Sequence, residues 1–230
     1  MTAIVNNLKK IQQNIDIAAQ KVGRQSEAVQ IIAVTKQVSV TRAQEAIATN
    51  LVNLGENRPE GLLEKAEAIG NDAVWHYIGS LQTRKVKQVI NAIDYLHSLD
   101  RMNLAQEIEK RAIAKVKCFV QVNVAEEEAK HGLTVASTMA FIEDLAQFEK
   151  IEVVGLMTMA PNTADAAIIR STFKSLKKLQ QEVSERNFKH APCMEVSMGM
   201  SNDYEIAVEE GATFVRIGTA LVGNEGSVAK

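Results

Sequence analysis

The sequence predicts an α/β fold: a single (β/α)8 barrel taking in residues 1–230, with an extra helix at its N-terminus. Three observations lead there. Short apolar runs recur eight times along the chain, and helix-like segments separate each run from the next. That alternation marks parallel strands joined by helical crossovers, and eight units are the number that closes a barrel. The first run is not followed by the G-x-G-x-x-G of a doubly wound nucleotide-binding sheet, which is the competing architecture.

The elements follow in order. Ile4, Leu8, Ile11, Ile15, Ala18 and Val22 share one face of an opening helix that Gly23 can end. This helix is expected outside the barrel or across its lower mouth. The eight strand-like runs are "IIAVTK", "LVNLGEN", "WHYIGSLQ", "YLHSLD", "CFVQVNVA", "VVGLMTMA", "CMEVSMGM" and "FVRIGTALVG". Between them, "TRAQEAIATN" places Thr41 and Gln44 at capping-box spacing. "LLEKAEAIG" closes on Gly70, and "RKVKQVINAI", "NLAQEIEKRAIAK", "TMAFIEDLAQF" and the long "ADAAIIRSTFKSLKKLQQEVSER" follow. "NDYEIAVEEG" closes on Gly211. Few residues remain after the eighth run, so no second catalytic domain is expected.

Bulk composition narrows the function. With 230 residues, 46% of them hydrophobic, the chain can bury one large core. A net charge of -2 offers no basic surface for nucleic acid or an anionic membrane. No apolar run approaches a bilayer span, and "MTAIVNNLKKIQQNI" has helical period without a signal-peptide core. A cytoplasmic protein is expected. Cys118 and Cys193 lie far apart, without metal-ligand spacing, and are expected as buried reduced thiols.

Chemistry in such a barrel gathers at the C-terminal ends of the strands. Those ends carry Lys36; Gly55, Glu56 and Asn57; Gly79, Ser80 and Gln82; Ser98 and Asp100; Asn123; Met157 and Thr158; Ser197, Gly199 and Ser201; and Arg216, Gly218 and Thr219. A lysine closing a strand can simply snorkel to water. Here barrel closure sets Lys36 between Asn57 and Arg216, and an amine partly withdrawn from water beside a second cation can form a Schiff base. "SMGMSNDYEIAVEEG" runs small residues into a helix, and "RIGTAL" makes a second corner through Gly218 and Thr219. Exposed N–H groups at such corners bind anions, and the loops after strands seven and eight are the usual phosphate position in this fold. Ordinary capping by Ser201 and a simple turn at Gly218 would explain each corner singly.

A ligand carrying an aldehyde and a phosphate fits both features, and pyridoxal 5′-phosphate (PLP) is the candidate. Its aldehyde would meet Lys36, its phosphate strands seven and eight, and its pyridine nitrogen Arg216. A cation there would keep that nitrogen unprotonated. Other residues read as structure. His76 and His97 sit within strand-like runs as core or partner-bonded histidines. His131 lies in a polar loop that could form a lid with Lys130 but reads first as solvated, as does the acidic run Glu126–Glu128. Met157, Met159, Met194, Met198 and Met200 suggest an adaptable apolar lining.

"IIAVTK", "GENR", "WHYIGSLQTRK", "SLD", "GLMTM" and "SMGMSNDYEIAVEEGATFVRIGTALVG" closely resemble the PLP homeostasis protein family over nearly the whole chain. The resemblance implies a barrel like the N-terminal domain of alanine racemase, binding PLP without established catalysis. It implies Lys36 as the Schiff-base lysine, Ser197, Ser201, Gly218 and Thr219 at the phosphate, Arg216 near the pyridine nitrogen and Asn57 at the cofactor. This chain departs from the family in reading "GENRPEGLLEK" where a glutamine-containing segment is common; Pro59 should fix the entry to the next helix. The expected function is a non-catalytic, monomeric PLP carrier that affects amino-acid and keto-acid balance and hands PLP to apo-enzymes. The alternative is a small PLP-dependent amino-acid racemase using Lys36 as one base, although Tyr77, Tyr95 and Tyr204 supply no convincing second base. A third is an aldolase-like enzyme acting on a sugar phosphate.

Overall fold

The computed structural model describes residues 3–127 and 131–225. Its eight strands form one closed parallel barrel in chain order. They are β1 (Gln30–Val34), β2 (Asn53–Glu56), β3 (Val74–Tyr77), β4 (Tyr95–Leu99), β5 (Val116–Gln121), β6 (Ile151–Met157), β7 (Glu195–Met200) and β8 (Phe214–Ile217). Each expected apolar run holds one of them. Closure is made where Ala33 of β1 pairs with Ile217 of β8, while Val34 pairs with Gly55 of β2. Strands buried on both faces need no alternation, which is why the runs read as nearly continuous apolar stretches.

Helices α1 (Ala3–Lys21), α2 (Val40–Ile47), α3 (Pro59–Ile69), α4 (Val86–Val89), α5 (Met102–Arg111), α6 (Val135–Asp144), α7 (Ala166–Ser184), α8 (Tyr204–Glu209) and α9 (Thr219–Val222) surround the sheet. The larger core lies between strands and helices, and a second apolar cluster of Ile32, Phe119, Val154, Met157 and Phe214, with Tyr95 against it, fills the barrel interior. α1 packs outside the barrel: Asn7 Nδ2 donates to the Leu221 carbonyl at 3.0 Å and Asn14 Nδ2 to Tyr204 Oη at 2.8 Å. Ile4, Ile11, Ile15 and Ala18 are buried as their spacing predicts. Val22 instead lies in the turn after the helix and is exposed.

Local differences have local causes. α2 begins at Val40, so Thr41 falls inside its first turn. The cap is Ser39, whose Oγ accepts from Arg42 N–H at 3.2 Å. α4 is one turn long because the chain leaves it at Asn91. The Asn91 side chain donates to the Arg111 carbonyl and accepts from Ile113 N–H, tying this segment to the end of α5. The eighth run divides: β8 ends at Ile217, Gly218 breaks the extended backbone, and Thr219–Val222 turns helical. Pro59 stands in the first turn of α3, where its fixed φ and missing N–H cost nothing. Cys118 and Cys193 are buried free thiols, and burial pushes Cys193 up to about 12. No helix among the described residues is long and apolar enough to cross a membrane.

Candidate functional site

The C-terminal ends of the strands open into a cavity of about 560 Å³. Lys36, Asn57, Ser201, Arg216, Gly218 and Thr219 all line it, six of the seven residues singled out from sequence. Lys36 stands two residues past the end of β1, in a turn, with its side chain exposed. That turn is anchored on both sides. Before it, the Thr35 hydroxyl donates to Glu56 Oε1 at 2.7 Å, and the same oxygen pairs with Lys65 Nζ of α3 at 3.0 Å. All three side chains are buried. After it, the Glu225 carboxylate accepts from both Ser39 N–H and Ser39 Oγ–H. Because Thr35 precedes Lys36 and Glu56 precedes Asn57, one hydrogen bond fixes the β1 and β2 exits relative to each other.

Gly79, at the exit of β3, lies so close to Asn57 that an added Cβ would stand 2.5 Å from the Asn57 carbonyl oxygen. The glycine therefore allows two strand exits to approach closely at the cavity wall. Gly199 holds the β7 exit at φ +89, a conformation that disfavours any side chain, and a Cβ there would meet Ala207 at 2.5 Å. The turn that follows is closed by Asp203, whose Oδ1 accepts from Met200 N–H at 2.5 Å. Burial holds the Asp203 carboxyl above its ordinary range, against the lowering influence of the Met200 N–H and of Arg216.

Arg216 is the buried cation of the site. One terminal nitrogen donates to Ser197 Oγ at 2.6 Å and the other to the Thr158 carbonyl at 2.9 Å. Burial pulls its guanidinium down to about 10, opposed by Asp203, so it remains charged at neutral pH. Ser197 is the one predicted residue that does not reach the cavity wall. It lies fully buried in β7, one layer beneath, where its hydroxyl meets Arg216 and His97. Its side chain points into the barrel, whereas Ser201 follows the end of the strand and faces the opening.

His76 and His97 are buried and hydrogen-bonded to each other. Burial lowers His76 to about 3, with Lys117 adding to the effect, and burial, with His76 and Arg216 nearby, holds His97 well below the usual histidine value. Of the five methionines expected as lining, Met159 and Met200 border the cavity. Met157 and Met198 are buried, and Met194 is exposed. His131 is exposed, while Glu128 and Lys130 lie outside the described residues. Sequence reasoning missed Asp203 and the segment Pro161–Thr163 after β6, both on the cavity wall. The Pro-Asn pair there was a readable loop signal.

A family model described as "Alanine racemase, N-terminal domain" matches residues 6–226. A protein of Aquifex aeolicus called pyridoxal phosphate homeostasis protein is 37% identical over 220 residues, covering 94% of this chain and 96% of its own. A Pseudomonas aeruginosa protein of the same name is 34% identical over 227 residues, covering 97% and 96%. Among solved structures, PipY of Synechococcus elongatus with PLP bound superposes with a TM-score of 0.79 at 29% identity, covering 91% of this chain and all of its own.

Proposed function

This chain belongs to the alanine racemase N-terminal domain family, among relatives called PLP homeostasis proteins, and from that membership we propose that it binds PLP as a Schiff base on Lys36 and serves PLP homeostasis without turnover. The observation that carries this reading is the convergence of an exposed amine, a buried cation and two small-residue corners on one cavity of about 560 Å³. That volume lies within the roughly 300–1,000 Å³ of small-molecule sites. The donor set complements the three polar parts of PLP.

Bound PLP supplies an aldehyde and an electron-withdrawing ring. Lys36 offers the amine that would hold the aldehyde. Arg216 presents a fixed positive charge that would repel a proton from the ring nitrogen and so weaken the ring as an electron sink, which suits storage better than catalysis. Ser201, Gly218 and Thr219 would hold the phosphate, and Asn57 would flank the ring. Ser197 would act on the ring through Arg216, which donates to its hydroxyl. The same reading takes residues 1–230 as one PLP-binding domain, monomeric and cytoplasmic, binding neither nucleic acid nor membrane. PLP-requiring apo-enzymes would be the recipients.

The test is the visible absorption spectrum of the protein with added PLP, beside Lys36→Ala. A Schiff-base band in the parent and none in the variant is expected. Incubating the loaded protein with a panel of amino acids in deuterated water should then give no exchange of the α-hydrogen. Sustained exchange would favour the racemase reading, and a protein that takes up no PLP would overturn both.

A further inference from the structure

A line of hydrogen bonds crosses the barrel interior from its N-terminal end to Arg216. Asn53 Nδ2 donates to Gln30 Oε1 at 3.1 Å, so its Oδ1 is an acceptor, and His76 Nε2 lies 3.0 Å from it. His76 Nδ1 lies 2.9 Å from His97 Nε2, and His97 Nδ1 lies 2.9 Å from Ser197 Oγ. Arg216, which can only donate, closes the line on Ser197 Oγ at 2.6 Å. Each imidazole is packed against an aromatic ring: His76 against Tyr95 at 4.5 Å between centroids, His97 against Phe119 at 4.4 Å. Both side chains are fully buried, and burial keeps both rings neutral.

These constraints leave one arrangement of protons. Because Asn53 Oδ1 accepts, His76 Nε2 carries the hydrogen and its Nδ1 is bare. His97 must then donate through Nε2, which leaves its own Nδ1 bare. Ser197 donates its hydroxyl hydrogen to that nitrogen and accepts from Arg216. Every donor in the line points away from the cavity. The opposite direction would aim both His97 and Arg216 at Ser197 Oγ and strand the serine's own hydrogen in the core, at the cost of an unmade buried hydrogen bond.

We propose that Ser197, His97 and His76 are positioning residues for Arg216, a one-way hydrogen-bond line that holds the guanidinium at the cavity floor on neutral acceptors and so leaves its charge undischarged toward the ring nitrogen of PLP. This rests on the function proposed above. A carboxylate in place of Ser197 would fix the arginine equally well but neutralise it. A hydroxyl backed by a neutral imidazole fixes it and adds no counter-charge beyond that of Asp203. Polarisation along the line, with each acceptor lone pair facing Arg216, makes that hydroxyl oxygen a better acceptor than an isolated serine.

Two measurements test it on the full chain. Long-range ¹H–¹⁵N correlation spectra of the imidazole nitrogens, recorded without PLP, should show His76 and His97 both neutral, both with hydrogen on Nε2, and unchanged from pH 8 to pH 5. A hydrogen on Nδ1 of His97, or a titration of either ring in that range, overturns the line. Ser197→Ala, loaded with PLP, should keep the Lys36 band but shift its maximum and bind PLP about tenfold more weakly, the loss of one hydrogen bond to a charged group. An unshifted band at parental affinity overturns the positioning role. If the parent protein itself takes up no PLP, the functional reading fails instead, and the imidazole spectra still decide whether the line exists.

Discussion

At the scale of single residues, the barrel interior keeps two histidines neutral by burial, and that makes stability depend on pH in a defined direction. In the unfolded chain each takes up a proton near the ordinary 6.5, whereas in the folded protein burial lowers His76 to about 3 and holds His97 well below its ordinary value. The unfolded state therefore binds more protons in between. The contribution of each ring is intact above pH 6.5 and falls by roughly 1.4 kcal/mol per pH unit below it. Urea unfolding from pH 7 down to pH 5 should show this loss, and His97→Gln should flatten the slope by roughly 1.4 kcal/mol per unit. Parallel slopes for parent and variant would mean that His97 is protonated in the folded state.

At the scale of elements, the site is a matter of strand exits held in register. Glu56 ties β1, β2 and α3 together through Thr35 and Lys65 in a region closed to water. Removing the ammonium partner leaves a buried carboxylate without its counter-charge. Lys65→Met should destabilise the protein by about 3–5 kcal/mol, and adding Glu56→Gln should recover a large part of that. A loss below about 1 kcal/mol, read from urea unfolding midpoints, would show that the pair is open to solvent. Elements were also where sequence reading was least secure. Ser39 rather than Thr41 caps α2 because two hydroxyls separated by one residue compete for one role and only the chain's exit angle decides between them. The short α4 reflects Asn91 bonding to a helix end distant in sequence, which no local pattern announces.

At the scale of the whole molecule, architecture was legible because it rests on repetition. Eight apolar runs at helix-separated intervals admit few closed solutions, and the structure holds a strand in every one. Most of the site was legible for the same reason, since barrel closure alone brings Lys36, Asn57 and Arg216 to one end. What stayed hidden was depth. Ser197 and Ser201 look equivalent in "SMGMS", yet β7 turns one inward beneath Arg216 and leaves the other at the opening. His76 and His97 are legible as partner-bonded residues, while their joint line to Arg216 depends on the barrel's tilt, which sets side chains from four strands at matching heights.

The central claim is that Lys36 is the residue that holds PLP. Loading the full chain with PLP, reducing with borohydride and mapping peptides by mass tests it most directly. The account predicts a pyridoxyl group on the peptide containing Lys36, and its disappearance in Lys36→Ala. A reduced adduct confined to other lysines, with Lys36 unmodified, would contradict it.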